Sequence, residues 1–475
     1  MKDDGSIHVT IQQEDSFRDH IATVDQQGKR NWVYAQQPKG KWYQYRSYLS
    51  YAYFLVFFSL PFIQINGRPL FLFNVVEGQF ILFGTTFWPQ DFFLFSLIML
   101  AFILFVTLFT MAFGRLFCGW ACPQTIFMEM LFRRIEYWIE GDAPARRLLD
   151  KGPWTGDKIR KKTLKHVIFF ALSVLIANLF LSYVIGVQEL RHIISGPFEA
   201  HVGGFITMLV FSGVFYGVFA FFREQVCTTV CPYGRLQGVL LDKNSVVVAY
   251  DYERGEPRSK FKKNETRTTG DCIDCMQCVK VCPTGIDIRN GTQLECVNCT
   301  ACIDACNFMM QKVNLPEGLI RYASENGIAQ KQPLRFTGRL KVYSIVLLLI
   351  LGGITYLLAS RAPVSGTIIR TAGMLYQERG TDSISNLYRI KLMNKTPTPM
   401  QLHLVLNDVP GQIIMIGQPQ INIKPGEQGE GTFFIVLPRT AITKRKSTLH
   451  ISLYAGSKNT VALKTTFLGP IHFKN

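Results

Sequence analysis

Charge is scarce in this chain of 475 residues: 18% are Asp, Glu, Lys or Arg, against about 25% in an average soluble protein. Apolar residues reach 48%, which excludes disorder over most of the chain. Acidic residues are the scarcer sign, 34 against 51 basic, so the formal net charge is +17. No Walker-type or RNP-like motif accompanies that charge, so neither nucleotide nor nucleic-acid binding explains it. Histidine is rare. The three residues near apolar runs, His166, His192 and His201, sit at run ends or in a loop, where hydrogen bonding suits them better than haem ligation. Cysteine is absent from Asn307 to Asn475; all 12 cysteines lie between Cys118 and Cys306. A secreted disulfide scaffold would be shorter and more evenly supplied. Met1–Gly5 has no apolar h-region, so no cleavable signal peptide is expected.

Long apolar runs are present in number. Tyr48–Ile65, Phe92–Gly114, His166–Val187, Gly203–Phe222 and Val342–Ala359 are each close to the ~20 residues that cross ~30 Å of hydrocarbon. About five spans are therefore expected. Pro69–Trp88 is also apolar but carries Asn74, Glu77 and Gly78, and reads as interfacial or re-entrant. The segment 133–165 concentrates Arg133, Arg134, Arg146, Arg147, Lys151, Lys158, Arg160, Lys161, Lys162 and Lys165. The intervening loops hold Arg68 or Arg191 alone. The positive-inside rule then predicts a cytoplasmic segment 1–46, a four-span region 47–223, a cytoplasmic domain 224–341, a fifth helix 342–360 and a periplasmic domain 361–475. Trp42 and Trp120 are expected near the inner membrane boundary and Trp88 near the outer one. The +17 becomes a statement about topology, with the bilayer as partner.

The tail reads as β-structure. Met400, Leu402, Leu404 and Leu406 alternate with Gln401, His403, Val405 and Asn407, and Leu449, Ile451 and Leu453 alternate with His450, Ser452 and Tyr454. Turn signals fall at Pro425-Gly426 and Gly456–Asn459. Period-2 runs between Gly/Pro turns predict a β-sandwich without an inter-sheet disulfide.

The cysteines carry the chemistry. Cys272-x2-Cys275-x2-Cys278-x3-Cys282-Pro283 recurs as Cys296-x2-Cys299-x2-Cys302-x3-Cys306. This is the two-cluster bacterial ferredoxin spacing. Three thiolates wrap one cubane and the fourth reaches the other. Cys272, Cys275, Cys278 and Cys306 are thus expected to hold one [4Fe–4S] cluster, and Cys296, Cys299, Cys302 and Cys282 a second. Zinc ribbons instead use two CxxC pairs separated by a longer insert. Asn307 stands where the second run usually has proline, which is not a ligand but fixes the chain after one.

Cys118-Gly-Trp-Ala-Cys122-Pro123 closes the second run and Cys227-Thr-Thr-Val-Cys231-Pro232 the fourth. The i, i+4 spacing predicts both thiols of each pair on one helix face. Four soft thiolates at one membrane edge suit Cu(I), zinc or a further Fe–S cluster. Arg115 and Arg223 are positioned to lower their thiol pKa values. Met111, Met128 and Met130 are better read as packing than as thioether ligands.

Phe117-Cys-Gly-Trp-Ala-Cys-Pro-Gln-Thr125, Val226-Cys-Thr-Thr-Val-Cys-Pro-Tyr-Gly234, Thr86-Phe-Trp-Pro-Gln-Asp91 and the doubled ferredoxin run together resemble the CcoG/FixG/RdxA family of cytochrome c oxidase accessory proteins. The resemblance covers nearly the whole chain. It implies a multi-domain protein of the bacterial inner membrane: an α-helical transmembrane bundle with an inserted two-cluster ferredoxin domain and a C-terminal Ig-like β-sandwich. It implies a membrane-bound iron–sulfur electron-transfer protein acting as a cupric reductase, which supplies Cu(I) for assembly of cbb3-type cytochrome c oxidase. Its partners would be copper ions, oxidase assembly factors or copper transport proteins, and a cytoplasmic electron donor. Cys118, Cys122, Cys227 and Cys231 would then be the reducing site, with copper or a third cluster both open. A quinol-linked electron-transfer subunit and a redox-sensing assembly scaffold are the alternative readings.

Overall fold

The computed structural model describes residues 23–470 apart from 25–26, 28, 66, 76–77, 88–91, 198, 200, 263–267, 332–336, 372, 374, 397 and 457. Met1–Gly5 and the Trp88–Asp91 part of the family motif lie outside the described residues. The chain forms two compact units. One holds the chain up to Ile63, Phe71–Val75 and Phe95–Gly352; the other holds Gln64–Leu70, Val76–Leu94 and the chain from Gly353.

Five long helices organise the apolar runs: α1 (Lys41–Ser59), α2 (Phe92–Phe113), α3 (Gly156–Ile185), α4 (Val202–Gly217) and α5 (Gly338–Ala359). A π-helical stretch, Val218–Phe222, continues α4. Four of them, α2 to α5, are long and apolar enough to cross a membrane, rather than the expected five. The difference is α1. It starts at Lys41 instead of Tyr48, so Trp42, Gln44 and Arg46 dilute it, and it stops at Ser59, before a 3-10 turn carrying Pro61. The chain then enters a short antiparallel pair, Gln64–Ile65 with Arg68–Pro69. Pro69–Trp88 contains no helix among its described residues; Gln79–Leu82 pairs with Thr85–Phe87. The third run also begins earlier than expected. Thr155 caps α3 by accepting from the Lys158 N–H (3.4 Å), so Lys158 to Lys165 are helical and not a loop.

Large apolar side chains on these helices face outward, as lipid permits. Ile103 on α2 is 61% exposed and Leu349 on α5 71%. Inward, Phe132 stacks on Phe219 (4.3 Å between centroids) and meets Phe169 edge-on (4.9 Å). Met128 and Met130 are buried there, in agreement with a packing role.

The inserted domain is built on an antiparallel pair, Val247–Tyr250 with Ile320–Ala323, over two helices, Gln277–Lys280 and Ala301–Lys312. Val248, Ile273, Ile286, Ile288, Ile303, Met310 and Leu319 fill its core between the cysteines. The C-terminal domain is a β-sandwich, as its alternation predicts. One sheet runs Gln412–Ile416, Gln428–Pro438, Ser383–Asn394, Val364–Arg370; the other runs Ile421–Ile423, Met400–Leu406, Lys446–Ala455, Lys458–Leu468. Leu402, Leu449, Ile451 and Leu453 face inward with Ile390, Phe433 and Ile435. Gly426 and Gly456 turn with φ of +68° and +61° at the two predicted positions.

Candidate metal centres

The ferredoxin cysteines fall into the two sets that the spacing predicts. Cys306 has Cys278, Cys275 and Cys272 as its electrostatic neighbours. Cys302 has Cys299, Cys296 and Cys282, with Cys278 beyond. The loops repeat in detail. Asp274 and Met276 flank Cys275 with φ of +49° and +59°; Asn298 and Thr300 flank Cys299 with +53° and +66°. Asp and Asn tolerate the left-handed region, whereas a β-branched Thr pays for it. Such strain persists where the surroundings over-determine it, and here it wraps each loop tightly around its own centre. The paired Asx residues before the middle cysteine were a signal available in the sequence.

Cys278, Cys282, Cys296, Cys299 and Cys302 line one small enclosed pocket. Burial pushes the thiols of Cys278, Cys296 and Cys306 up to about 12. Buried thiols of that kind become ligands when a cation replaces their protons. The donor set and its burial suit a [4Fe–4S] cluster. Asn307 has a clear role: the helix Ala301–Lys312 runs on through Cys306, which proline would stop, and the Asn307 side chain accepts from the Gly318 N–H (3.0 Å).

The CxxxCP cysteines also come together, with Cys122 and Cys231 near Cys118, and Cys122 and Cys118 near Cys227. They do not share a helix face. Cys118 lies in a short helix, Leu116–Trp120, and Cys227 in a π-helical turn, Val226–Val230. Cys122 and Cys231 are extended (ψ 124° and 112°) and N-cap the next helices, whose first residues are Pro123 and Pro232. Proline disfavours helix in the residue before it and suits the first helical position. Each motif is therefore two helix ends meeting at a corner. Among the described residues, no three Cys, His, Asp or Glu side chains are grouped to hold one metal ion, at this site or at either ferredoxin set.

Several supporting residues carry no sequence signal of their own. Gln237 is fully buried, and its Oε1 accepts from Cys118 Sγ (3.2 Å) and Arg115 Nε (3.0 Å). Burial raises the Cys118 thiol despite Arg115, and pushes Cys227 up to about 12. Arg223 points elsewhere, donating to Glu136 (3.1 and 2.8 Å). Glu136 also binds Arg146 (2.5 Å) and Lys165 (3.5 Å), all of them buried. Several of the basic residues that carry the positive-inside argument thus form the interior of an ion network.

The corner holding Cys118 sits directly on the second ferredoxin loop. A Cβ on Gly119 would lie 2.4 Å from the Val297 carbonyl oxygen and 2.9 Å from that of Asn298. Trp120 donates from Nε1 to the Tyr322 hydroxyl (3.0 Å) and the Asn298 carbonyl (3.3 Å). Trp42 packs edge-on against both Trp120 and Tyr322. Asp304, between Cys302 and Cys306, accepts from the N–H groups of Trp42 (3.1 Å) and Tyr43 (2.8 Å) and so caps α1.

Comparison with known proteins agrees with this layout. A model of a 4Fe-4S dicluster domain matches residues 222–325, one of a 4Fe-4S binding domain matches 92–145, and one of the Ig-like fold at the C-terminal of FixG matches 354–470. Nitrogen fixation protein FixG of Rhizobium meliloti is 31% identical over 459 residues, 86% of this chain and 87% of its own. The chain belongs to the FixG/RdxA family. Two further relatives from Cereibacter sphaeroides are RdxB, 33% identical over 77% of this chain and 80% of its own, and RdxA, 35% identical over 72% and 73%. This FixG/RdxA chain is an iron–sulfur electron-transfer protein with membrane-crossing helices. Its 4Fe-4S matches include both CxxxCP pairs as well as the ferredoxin run.

Proposed function

We propose that this FixG/RdxA protein is a membrane cupric reductase that draws electrons from a cytoplasmic donor and supplies Cu(I) for assembly of cbb3-type cytochrome c oxidase. When bound, a [4Fe–4S] cluster takes up and releases one electron at a time. Each Cu(II) reduced to Cu(I) consumes one such electron. The observation that carries this reading is the backbone contact of Gly119 with Val297 and Asn298. It sets the ligands Cys118 and Cys122 against the loop between Cys296 and Cys299, with Trp120 hydrogen-bonded across. The chain's own contribution is to bury the thiols, hold the two ligand sets in register and exclude water between them. The recipients of Cu(I) would be copper transport proteins or oxidase assembly factors.

In this reading Cys118, Cys122, Cys227 and Cys231 hold a third [4Fe–4S] cluster. The match of residues 92–145 to a 4Fe-4S binding domain supports it. The reading also takes α1 across the membrane. Trp42 is tied to Asp304, and Val246 donates to the Ala112 carbonyl (2.9 Å), so both ends of residues 42–112 meet the inserted domain. If α2 crosses once, a second crossing returns the chain, and α1 is the helix available. At ~1.5 Å per residue its 19 residues reach about 28 Å. The basic loops then put the ferredoxin domain in the cytoplasm and the β-sandwich in the periplasm of the bacterial inner membrane.

The test is direct. Anaerobically purified protein with reduced clusters is mixed with Cu(II) and a Cu(I)-selective chelator. Stoichiometric Cu(I), lost in the Cys118/Cys122/Cys227/Cys231→Ser variant together with about four irons, is expected. Cluster oxidation by quinone with no Cu(I) formed would overturn the copper reading. Full iron content in that variant would overturn the third cluster.

A further inference from the structure

We propose that the groove beside Cys282 is the docking site for a small acidic one-electron carrier protein, the entry point for electrons. The proposal deepens the reading above by naming the class of donor. It requires only that the Cys282 set be electron-accepting, and it stands whether or not copper is the final acceptor.

The groove is a cavity of about 740 Å³ between the segment Asn31–Gln36, the helix Ala143–Lys151 and the loop Val279–Gly285. It reaches Cys282, the fourth ligand of the second ferredoxin set, which is half-buried. Its charged lining is Arg147, Lys151 and Lys280, all exposed, with no carboxylate among the lining residues. The neighbouring acids are already engaged: Asp150 binds Lys162 (2.6 Å) and the Tyr34 hydroxyl (2.7 Å), and Asp142 caps the helix. At the centre of this basic ring Leu148 is 74% exposed. An apolar centre with a charged rim is the anatomy of a protein-docking patch.

The walls are firm. Gln36 donates to the Lys280 carbonyl (2.8 Å), and Arg146 and Tyr137 both donate to the Ala35 carbonyl (2.6 and 3.1 Å). A Cβ on Gly285 would lie 3.2 Å from Val33, so the segment passes close over the loop after Cys282. The occupant follows from charge and stoichiometry. A positive rim on a chain of net charge +17 selects an acidic partner and speeds encounter. The ligand set beyond it exchanges single electrons, so the partner is a one-electron carrier. One electron leaves the reduced carrier and enters at the Cys282 set; no bond or proton moves.

The experiment uses full-length, iron-loaded protein in nanodiscs and an acidic [2Fe–2S] ferredoxin. Binding of the oxidised ferredoxin, which involves no turnover, is expected to weaken at least tenfold between about 50 and 300 mM salt as screening grows. The triple variant R147E/K151E/K280E should weaken it at least tenfold at low salt, and L148S severalfold. K243E, outside the groove, should leave it unchanged. Reduction by the reduced ferredoxin should slow in parallel in the triple variant, while reduction by methyl viologen radical stays at the parent rate. Salt-insensitive or absent binding by the parent, parent-like binding by the triple variant, or equal loss in K243E would each overturn the proposal. Iron content and absorption of every variant establish that it is folded and loaded.

Discussion

Replacing Gly119 with alanine tests the contact on which the electron route depends. The new Cβ would meet the Val297 oxygen at 2.4 Å, the Asn298 oxygen at 2.9 Å and the Asn298 carbonyl carbon at 3.0 Å. Ordinary contact begins near 3.4 Å, so the two loops must separate by about 1.0 Å. All three neighbours are backbone atoms of a loop whose residues Asn298 and Thr300 are already left-handed, so no side chain can swing aside. Overpacking of this kind costs about 1–3 kcal/mol. The separation also stretches the Trp120 hydrogen bonds to Tyr322 and Asn298. The expected result is a melting temperature lowered by several degrees and a slower transfer to Cu(II), with reduction of the ferredoxin centres by viologen unchanged. Gly213→Ala is the matched control. That Cβ meets nothing within 4 Å in α4, and alanine there is neutral or stabilising by about 0.5–1 kcal/mol. Parent-like melting and parent-like Cu(II) reduction in Gly119→Ala would refute the reasoning.

Three further outcomes follow from the packing. Glu136→Gln leaves Arg223, Arg146 and Lys165 facing one another in a buried site and should cost about 3–5 kcal/mol, read by thermal denaturation. Burial alone would raise the Glu136 carboxyl, but Arg223, Arg146 and Lys165 outweigh it and hold it well below its usual 4.5. Its contribution is therefore present above about pH 4.5 and fades as pH falls further, and the Gln variant should lose that part of the acid sensitivity. Asn307→Pro restores the common ferredoxin residue yet should destabilise by about 3 kcal/mol or more, because it breaks a continuous helix and the bond to Gly318; iron content and melting temperature check it. Tyr388→Phe removes the hydroxyl that donates to the Thr466 carbonyl (2.9 Å) inside the sandwich, costing about 1 kcal/mol while Cu(II) reduction stays at the parent rate.

What the sequence made legible was whatever repeats at fixed spacing. The doubled cysteine run assigned its eight thiols to two sets because three ligands two residues apart admit few geometries. Period-2 alternation at Met400–Leu406 and Leu449–Leu453 announced the sandwich. The helical reading of Cys118 and Cys122 failed because spacing alone ignored Pro123, which places a corner between them. The polar start of α1 was hidden from a reading that looked for apolar runs; its cap, Asp304, lies 262 residues downstream of Trp42. Arg146 and Lys165 entered the sequence reading only as positive-inside charges, because nothing local announces that Glu136 and Glu140 will meet them in the interior. Gln237, Gly119 and Trp120 matter through partners far away in sequence, which composition and periodicity do not register.

The Asp304 cap sets an order of events during synthesis. At about 5–20 residues per second, the 262 residues separating the cap from Trp42 take roughly 13–52 s to make. Through that interval the start of α1 lacks its cap, and the segment Asn31–Gln36 has no Lys280 or Gly285 to lie across. That segment can settle over the loop after Cys282 only once Lys280 and Gly285 have been made. Position in the chain thus becomes a clock: Asn31–Gln36 and the start of α1 take their final contacts only after residues 280–304 are made. Limited proteolysis near Lys39 should cut iron-depleted protein readily and loaded protein slowly; equal cleavage of the two would remove this order from consideration.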